Sequence, residues 1–162
     1  MRLSIIAIGK QKNDATYELT QTYFKRLPFA GDIIEIERSQ ASGPKRAIEE
    51  SDKIRAFLQI KAIKGHRVIA LDKSGTDTSS EQLAELIRNW RDDGVAGCYF
   101  AIGGANGHTQ TLLNSANICL RFGSATWPHL LCRAMLAEQL YRAEMILKDH
   151  PYHNGHLSNI KS

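Results

Sequence analysis

Aromatic residues are scarce in this chain of 162 residues, at 7%, so its core has to be built from Ile, Leu, Ala and Val. No apolar run approaches the roughly 20 residues a bilayer requires, which excludes a helical membrane span. The one apolar stretch near the start, Leu3 to Ile8, ends at Gly9-Lys10 and is too short for a signal peptide. Cysteine is limited to Cys98, Cys119 and Cys132, with no CxxC pair. That odd number points to buried thiols in a reducing compartment, and a cytoplasmic location is expected. Repeats and low-complexity linkers are also missing, and the length fits one domain. With 43% hydrophobic and 23% charged residues, the chain is neither disordered nor a coiled coil.

Acidic charge is short in the first half. Over residues 1–75, fourteen Lys and Arg face nine Asp and Glu, whereas the remainder holds seven against eight. The net charge is +4. A basic half suits a polyanion such as RNA, and it equally suits an ordinary solvated face. Lys10-Gln11-Lys12 and Lys45-Arg46 are only local pairs.

What is present is an alternation of short β-rich runs and longer helical patterns. Strands are predicted at Leu3–Gly9, Ile33–Ile36, Arg67–Asp72, Cys98–Ile102 and Ile118–Phe122. Helices are predicted from about Asp14 to Leu27, from Gly43-Pro44 to about Ile63, after Ser79, from about Thr109 to Ser115, and from about His129 to Lys148. Ser79 with Gln82 reads as a capping box. This order predicts an α/β fold with a mainly parallel sheet flanked by helices.

Ile102-Gly103-Gly104-Ala105-Asn106-Gly107 follows a strand and precedes a helix, where open parallel sheets bind ligands. It is not a dinucleotide fingerprint: the spacing is GGxxG, and no carboxylate lies about 20 residues on. No GK[ST] follows, so it is not a Walker loop either. A second small-residue loop, Gly123-Ser124-Ala125-Thr126-Trp127-Pro128, follows the next strand. Two such loops on adjacent strand ends, with Leu71 on a third side, make a cleft of exposed backbone with apolar walls and few charges. Such a cleft suits an adenine and a sulfonium amino acid better than a triphosphate.

Several motifs then occur in one order: Leu3 to Lys10, Ala70-Leu71-Asp72, the GGxxG loop, Trp127-Pro128-His129, Glu138-Gln139-Leu140-Tyr141-Arg142-Ala143 and Pro151-Tyr152-His153. Together they resemble the ribosomal RNA large subunit methyltransferase H family, the small single-domain branch of the SPOUT methyltransferases. The resemblance implies one SPOUT domain over 1–162, with a C-terminal trefoil knot and the cofactor region at about 68–153. It implies S-adenosylmethionine as methyl donor, held by Leu71, Gly103, Phe122, Gly123, Ser124, Ala125, Thr126 and Trp127. It further implies a homodimer that methylates N3 of a pseudouridine in 23S rRNA on the assembled ribosome, with no metal. A methyltransferase of the same fold acting on another RNA such as tRNA, or a non-catalytic ribosome-binding module, are the alternatives.

The imino proton on N3 needs an acceptor, and a neutral imidazole is suited to it. His129 and His153 are the candidates, with His153 preferred beside Tyr152 on a terminal segment expected to be mobile. Tyr152 is expected to stack on the base, and Arg142 to hold a phosphate or the anionic ring. A plain ion pair from Arg142 to Glu138, four residues earlier, is the competing reading. His150, His153 and His156 are evenly spaced, but Pro151 and Gly155 interrupt the run and no thiol or carboxylate completes a metal set. Asn154 stands where the family has a basic residue, and residues 155–162 form an extra tail in which Lys161 or a protonated His156 could replace it. Leu131, Met135, Leu136, Leu140 and Ile146 spread over more than one face of the last helix, which calls for cover on two sides.

Overall fold

Five short β-branched and aromatic runs form five strands: β1 (Arg2–Ile8), β2 (Ile33–Ile36), β3 (Arg67–Asp77), β4 (Gly97–Ile102) and β5 (Ile118–Arg121). The computed structural model describes residues 1–12 and 15–154, except for the side chains of His153 and Asn154. The strands pair in the order β2-β1-β4-β3-β5, and every pairing is parallel. All five C-terminal ends therefore lie along one edge of the sheet. Between the strands run α1 (Ala15–Phe24), α2 (Gly43–Ile60), α3 (Ser80–Asp92), α4 (Gln110–Ser115), α5 (His129–Leu147) and α6 (Pro151–Asn154).

Successive strand residues feed opposite faces. Ile5 and Ala7 of β1, with Phe100 and Ile102 of β4, enter a core shared with Leu83, Ile87, Leu136 and Leu140 of α3 and α5. Ile6 and Ile8, with Tyr99 and Ala101, enter the other core with Ile54 and Leu58 of α2 and Leu112 of α4. Burial on both faces explains why β1 and β4 are apolar without alternation.

Charged groups fasten α5 to this frame at both ends. Arg133 is fully buried and donates to the carbonyl of Ile8 (2.7 Å), the carbonyl of Gly9 (2.5 Å) and Glu35 Oε1 (2.9 Å). Further along, the buried Glu144 accepts from Arg91 Nη2 at 2.5 Å, and Arg91 also lies over the Phe29 ring. Burial raises the Glu144 pKa against the pull of Arg91.

Two elements differ from the sequence reading. β3 does not stop at Asp72. After a register shift between Leu71 and Thr76 it pairs with β5 again through Thr76 and Asp77. Asp77 then takes Arg121 in a two-pronged ion pair at 2.9 and 2.8 Å. The terminal segment also carries a short helix, α6, packed on α5. Asp149 adopts a left-handed conformation (φ 51°) that ends α5, and Pro151 opens α6 at a first helical position, where its missing N–H costs nothing.

Candidate functional site

Three loops meet along the C-terminal edge. Leu71 pairs with Ile102 on one side and Leu120 on the other, so the chain following each strand end shares one neighbourhood. After β4, Gly107 N–H donates to the Gly104 carbonyl at 3.0 Å, closing a tight turn. A Cβ on Gly103 would lie 2.9 Å from the Gly107 carbonyl carbon. Glycine is thus needed to let the two sides of the turn touch, not to leave the cleft empty. His108 pins the turn to the sheet through Nε2 and the Ala101 carbonyl, 3.2 Å apart.

The loop after β5 has further to go. α5 begins beside β1 and β2, where Arg133 is anchored, so residues 122–128 cross from the sheet's far side. That is three strand spacings, about 14 Å, well within the roughly 24 Å that seven extended residues can span. The crossing carries the loop over the ends of β3 and β4. Trp127 Nε1 donates to the Phe122 carbonyl (2.8 Å) and folds the loop on itself. Gly123 to Pro128 are exposed, and the backbone of Ser124, Ala125 and Thr126 makes no hydrogen bond within the described residues. Unspent donors and acceptors in a row, beside open space at Gly123, form a cradle for a polar ligand.

At one end of this loop stands His129. Its Nε2 lies 2.9 Å from Arg38 Nη2. A guanidinium only donates, so Nε2 is the acceptor and the ring is neutral. Burial first, then the charges of Arg38 and Arg133, holds the His129 pKa below its ordinary value. The sequence offered no hint of Arg38, which comes from the end of β2, far away in the chain.

The other candidates gather elsewhere. Arg142 donates to Glu138 Oε1 through Nε (2.9 Å) and Nη2 (2.6 Å). Tyr152 donates to the same oxygen (3.1 Å) and meets Tyr141 edge-on, 4.9 Å between centroids. The Arg142 guanidinium lies 4.9 Å from the Tyr152 ring centroid. Burial opposes the Arg142 charge, and Glu138 outweighs it and raises the pKa. Burial, then hydrogen bonds with Tyr23 and Glu138, pushes the Tyr152 phenol up. The ion pair expected as the competing reading is therefore present, and Tyr152 is packed. The His153 side chain lies outside the described residues.

A cavity of about 680 Å³ joins this cluster to the start of the 122–128 loop. Phe122 and Gly123 close one side, Ser79 and Ser80 of the α3 cap another, and Leu131, Met135 and Glu138 of α5 the floor. Leu71 and Gly103 do not line it. Nor do the described catalytic candidates, His129, Arg142 and Tyr152, converge. His129 and Arg142 are thirteen positions apart on one straight helix, about 20 Å along its axis.

A family model described as a predicted SPOUT methyltransferase matches residues 1–153. The chain belongs to that family. "Ribosomal RNA large subunit methyltransferase H" of Paramagnetospirillum magneticum is 42% identical over 154 residues, covering 94% of this chain and 99% of that protein. The protein of the same name from Rhodopseudomonas palustris is 42% identical over 164 residues, covering 96% and 100%. A crystal structure of a probable methyltransferase from Bordetella pertussis Tohama I superposes with a TM-score of 0.57 at 12% identity, covering 87% of this chain and 95% of that one. That likeness concerns the fold alone.

As a SPOUT methyltransferase, the chain draws its methyl group from S-adenosylmethionine. The residues present fit such a donor. The unpartnered backbone of 124–126 offers hydrogen bonds, Phe122 and Trp127 offer apolar surface, and no described carboxylate sits on the 122–128 loop to oppose or pair a ligand charge. Among the described residues no helix is long and apolar enough to cross a membrane.

Proposed function

We propose that this SPOUT methyltransferase modifies N3 of a pseudouridine in 23S rRNA, on the assembled ribosome, as a homodimer in the cytoplasm. The observation carrying the substrate class is 42% identity, over nearly the full length, with proteins named for the large ribosomal subunit. The bound donor supplies an electrophilic methyl on a sulfonium, and the chain's own residues do the rest. Residues 122–127, with Gly103 and Leu71, hold the donor so that the acceptor nitrogen meets it in line. The N3–H pair would form the new N–CH3 bond as the donor's S–CH3 bond breaks and its pair returns to sulfur, leaving a neutral thioether. The proton would leave to an imidazole, for which His153 is our choice. His129 is less suited as acceptor, because its Nε2 lone pair is spent on Arg38. Tyr152 and Arg142 orient the ring.

Two features support the homodimer. The floor of the cavity, Leu131, Ala134 and Met135, is an apolar face of α5 continuous with Phe122 and Gly123. The ~20 Å of helix between His129 and Arg142 leaves one chain unable to bring both to a single base. A partner's α5, running the other way, would place its Tyr152 end beside this chain's cofactor loop.

Mass mapping of 23S rRNA from a deletion strain, before and after complementation, tests the substrate. A methyl-pseudouridine that persists in the deletion strain would remove this reading. Methyl transfer to whole ribosomes but not to naked rRNA is the expected preference, and transfer to tRNA instead would redirect the assignment.

A further inference from the structure

The 122–128 loop ends against the strand ends of β1 and β2, where three exposed cations gather. Lys10, Lys12 and Arg38 are exposed, and among the described residues none has a carboxylate partner. Glu35 of β2 is already committed. Glu35 Oε1 accepts from Arg133 Nη1 at 2.9 Å and from Gln11 N at 2.6 Å.

The same contacts fix where the cations point. Gln11 is buried and reaches Thr16 (2.9 Å) and the Leu130 carbonyl (3.5 Å) at the start of α5. With Gln11 turned inward, Lys10 and Lys12 on either side face outward. Arg38 lies flat on Gly9: a Cβ there would fall within van der Waals overlap of its Nε and 3.1 Å from Cζ. One nitrogen of its fork is used by His129, and the others are free for a second acceptor. An arginine fork beside two lysines is the donor set that grips phosphate oxygens.

We infer that Lys10, Lys12 and Arg38 form a phosphodiester-binding site at the C-terminal edge of β1 and β2, which grips the RNA backbone beside the cofactor loop. This rests on the RNA-methylating reading above and adds the surface through which RNA is held. Arg38 then joins two tasks: the guanidinium that meets a phosphate also holds His129 Nε2, which sets the imidazole at a fixed distance from the backbone. It also gives the basic excess of the N-terminal half a place to act.

The test is the salt dependence of binding, measured with the protein loaded with S-adenosylhomocysteine. Two probes are used: ribosomes from the deletion strain, and an unrelated RNA stem-loop that offers backbone alone. Each phosphate contact contributes a slope of about 0.7–0.9 in log K against log salt. The Lys10→Gln/Lys12→Gln variant alters exposed side chains only, and it should lose about 1.5 of that slope on both probes, weakening binding about tenfold at moderate salt. Arg38→Gln should lose a further contact. Affinity for S-adenosylhomocysteine in the double lysine variant should equal that of the wild type. Unchanged slopes in both variants, or a wild type that binds neither RNA, overturns the site. A wild type that methylates no rRNA while the variants still flatten the stem-loop slope removes the rRNA reading and keeps the site.

Discussion

The two ends of α5 solve opposite problems with similar residues. Near its start, Glu35 pairs with Arg133, whereas Arg38, Lys10 and Lys12 have no carboxylate partner among the described residues, and the imidazole among them is kept neutral. Toward its end, Glu138 satisfies both Arg142 and Tyr152, and the aromatic rings of Tyr23, Tyr141 and Tyr152 enclose them. One end presents unspent positive charge to solvent. The other is internally neutral and presents an apolar hollow. A protein that must hold a polyanion and a second apolar surface at once benefits from separating the two along a single rigid helix.

The comparison is broken most severely by removing Arg133. Arg133→Ala takes one donor from Glu35, which keeps Gln11 N–H, and strips the Ile8 and Gly9 carbonyls of theirs. Leaving such buried acceptors unpaired costs about 1–3 kcal/mol each. Chemical denaturation reads this directly, and a loss under 1 kcal/mol would mean that β1 and α5 are held by packing alone.

Gly103→Val comes next. Its Cβ meets the Gly107 backbone, so the turn must open, at about 1–3 kcal/mol of strain. Calorimetry with S-adenosylhomocysteine should show at least a tenfold loss of affinity. Wild-type affinity would detach the glycine turn from the donor site.

Met135→Glu tests the neutral end. A charge on the floor of the apolar hollow should shift the chain from dimer to monomer in light scattering, with little change in its thermal unfolding as a monomer. An unaltered mass would place the partner surface elsewhere. Ser79→Ala, which removes the capping box on α3 at the rim of that hollow, should cost about 1 kcal/mol.

The smallest effect is a titration. The His129 pKa lies below its usual value, so above the unfolded pKa near 6.5 the ring costs the fold nothing. As pH falls below that value, the unfolded chain takes up the proton first and stability declines until the folded ring also titrates. Arg38→Gln removes one of the two cations facing the ring, with Arg133 remaining. NMR titration should then find the His129 pKa raised toward 6.5, and the acid-side loss of stability reduced. An identical titration curve would show that burial and Arg133 set it without Arg38.

Much of the frame was readable from pattern. β2 has the same limits in sequence and structure, and the Ser79–Gln82 box closes as its spacing requires, with Ser79 N–H donating to Gln82 Oε1 at 2.8 Å. The second half of β3 was not readable. Lys73-Ser74-Gly75-Thr76 is polar and turn-like, and only the tertiary pairing of Thr76 and Asp77 with β5 marks the strand as continuing. α6 was hidden by Pro151, which interrupts a helix from within but opens one without penalty. Of the site, the cofactor loops and His129 were visible as motifs. Arg38 was not, because nothing local marks one arginine among many as the partner of a distant histidine.

The sequence by itself determined most of the strands and helices, that the sheet is buried on both faces, and where two small-residue loops follow adjacent strands, since each depends on residue type and short-range spacing. Only the tertiary structure decided that His129 would be held neutral by Arg38, that Arg142 and Tyr152 would share one glutamate, and that these groups would sit at opposite ends of one helix. Those outcomes depend on the distances between parts of the chain that are remote in sequence, and such distances exist only after the sheet has ordered its strands and α5 has been laid across them.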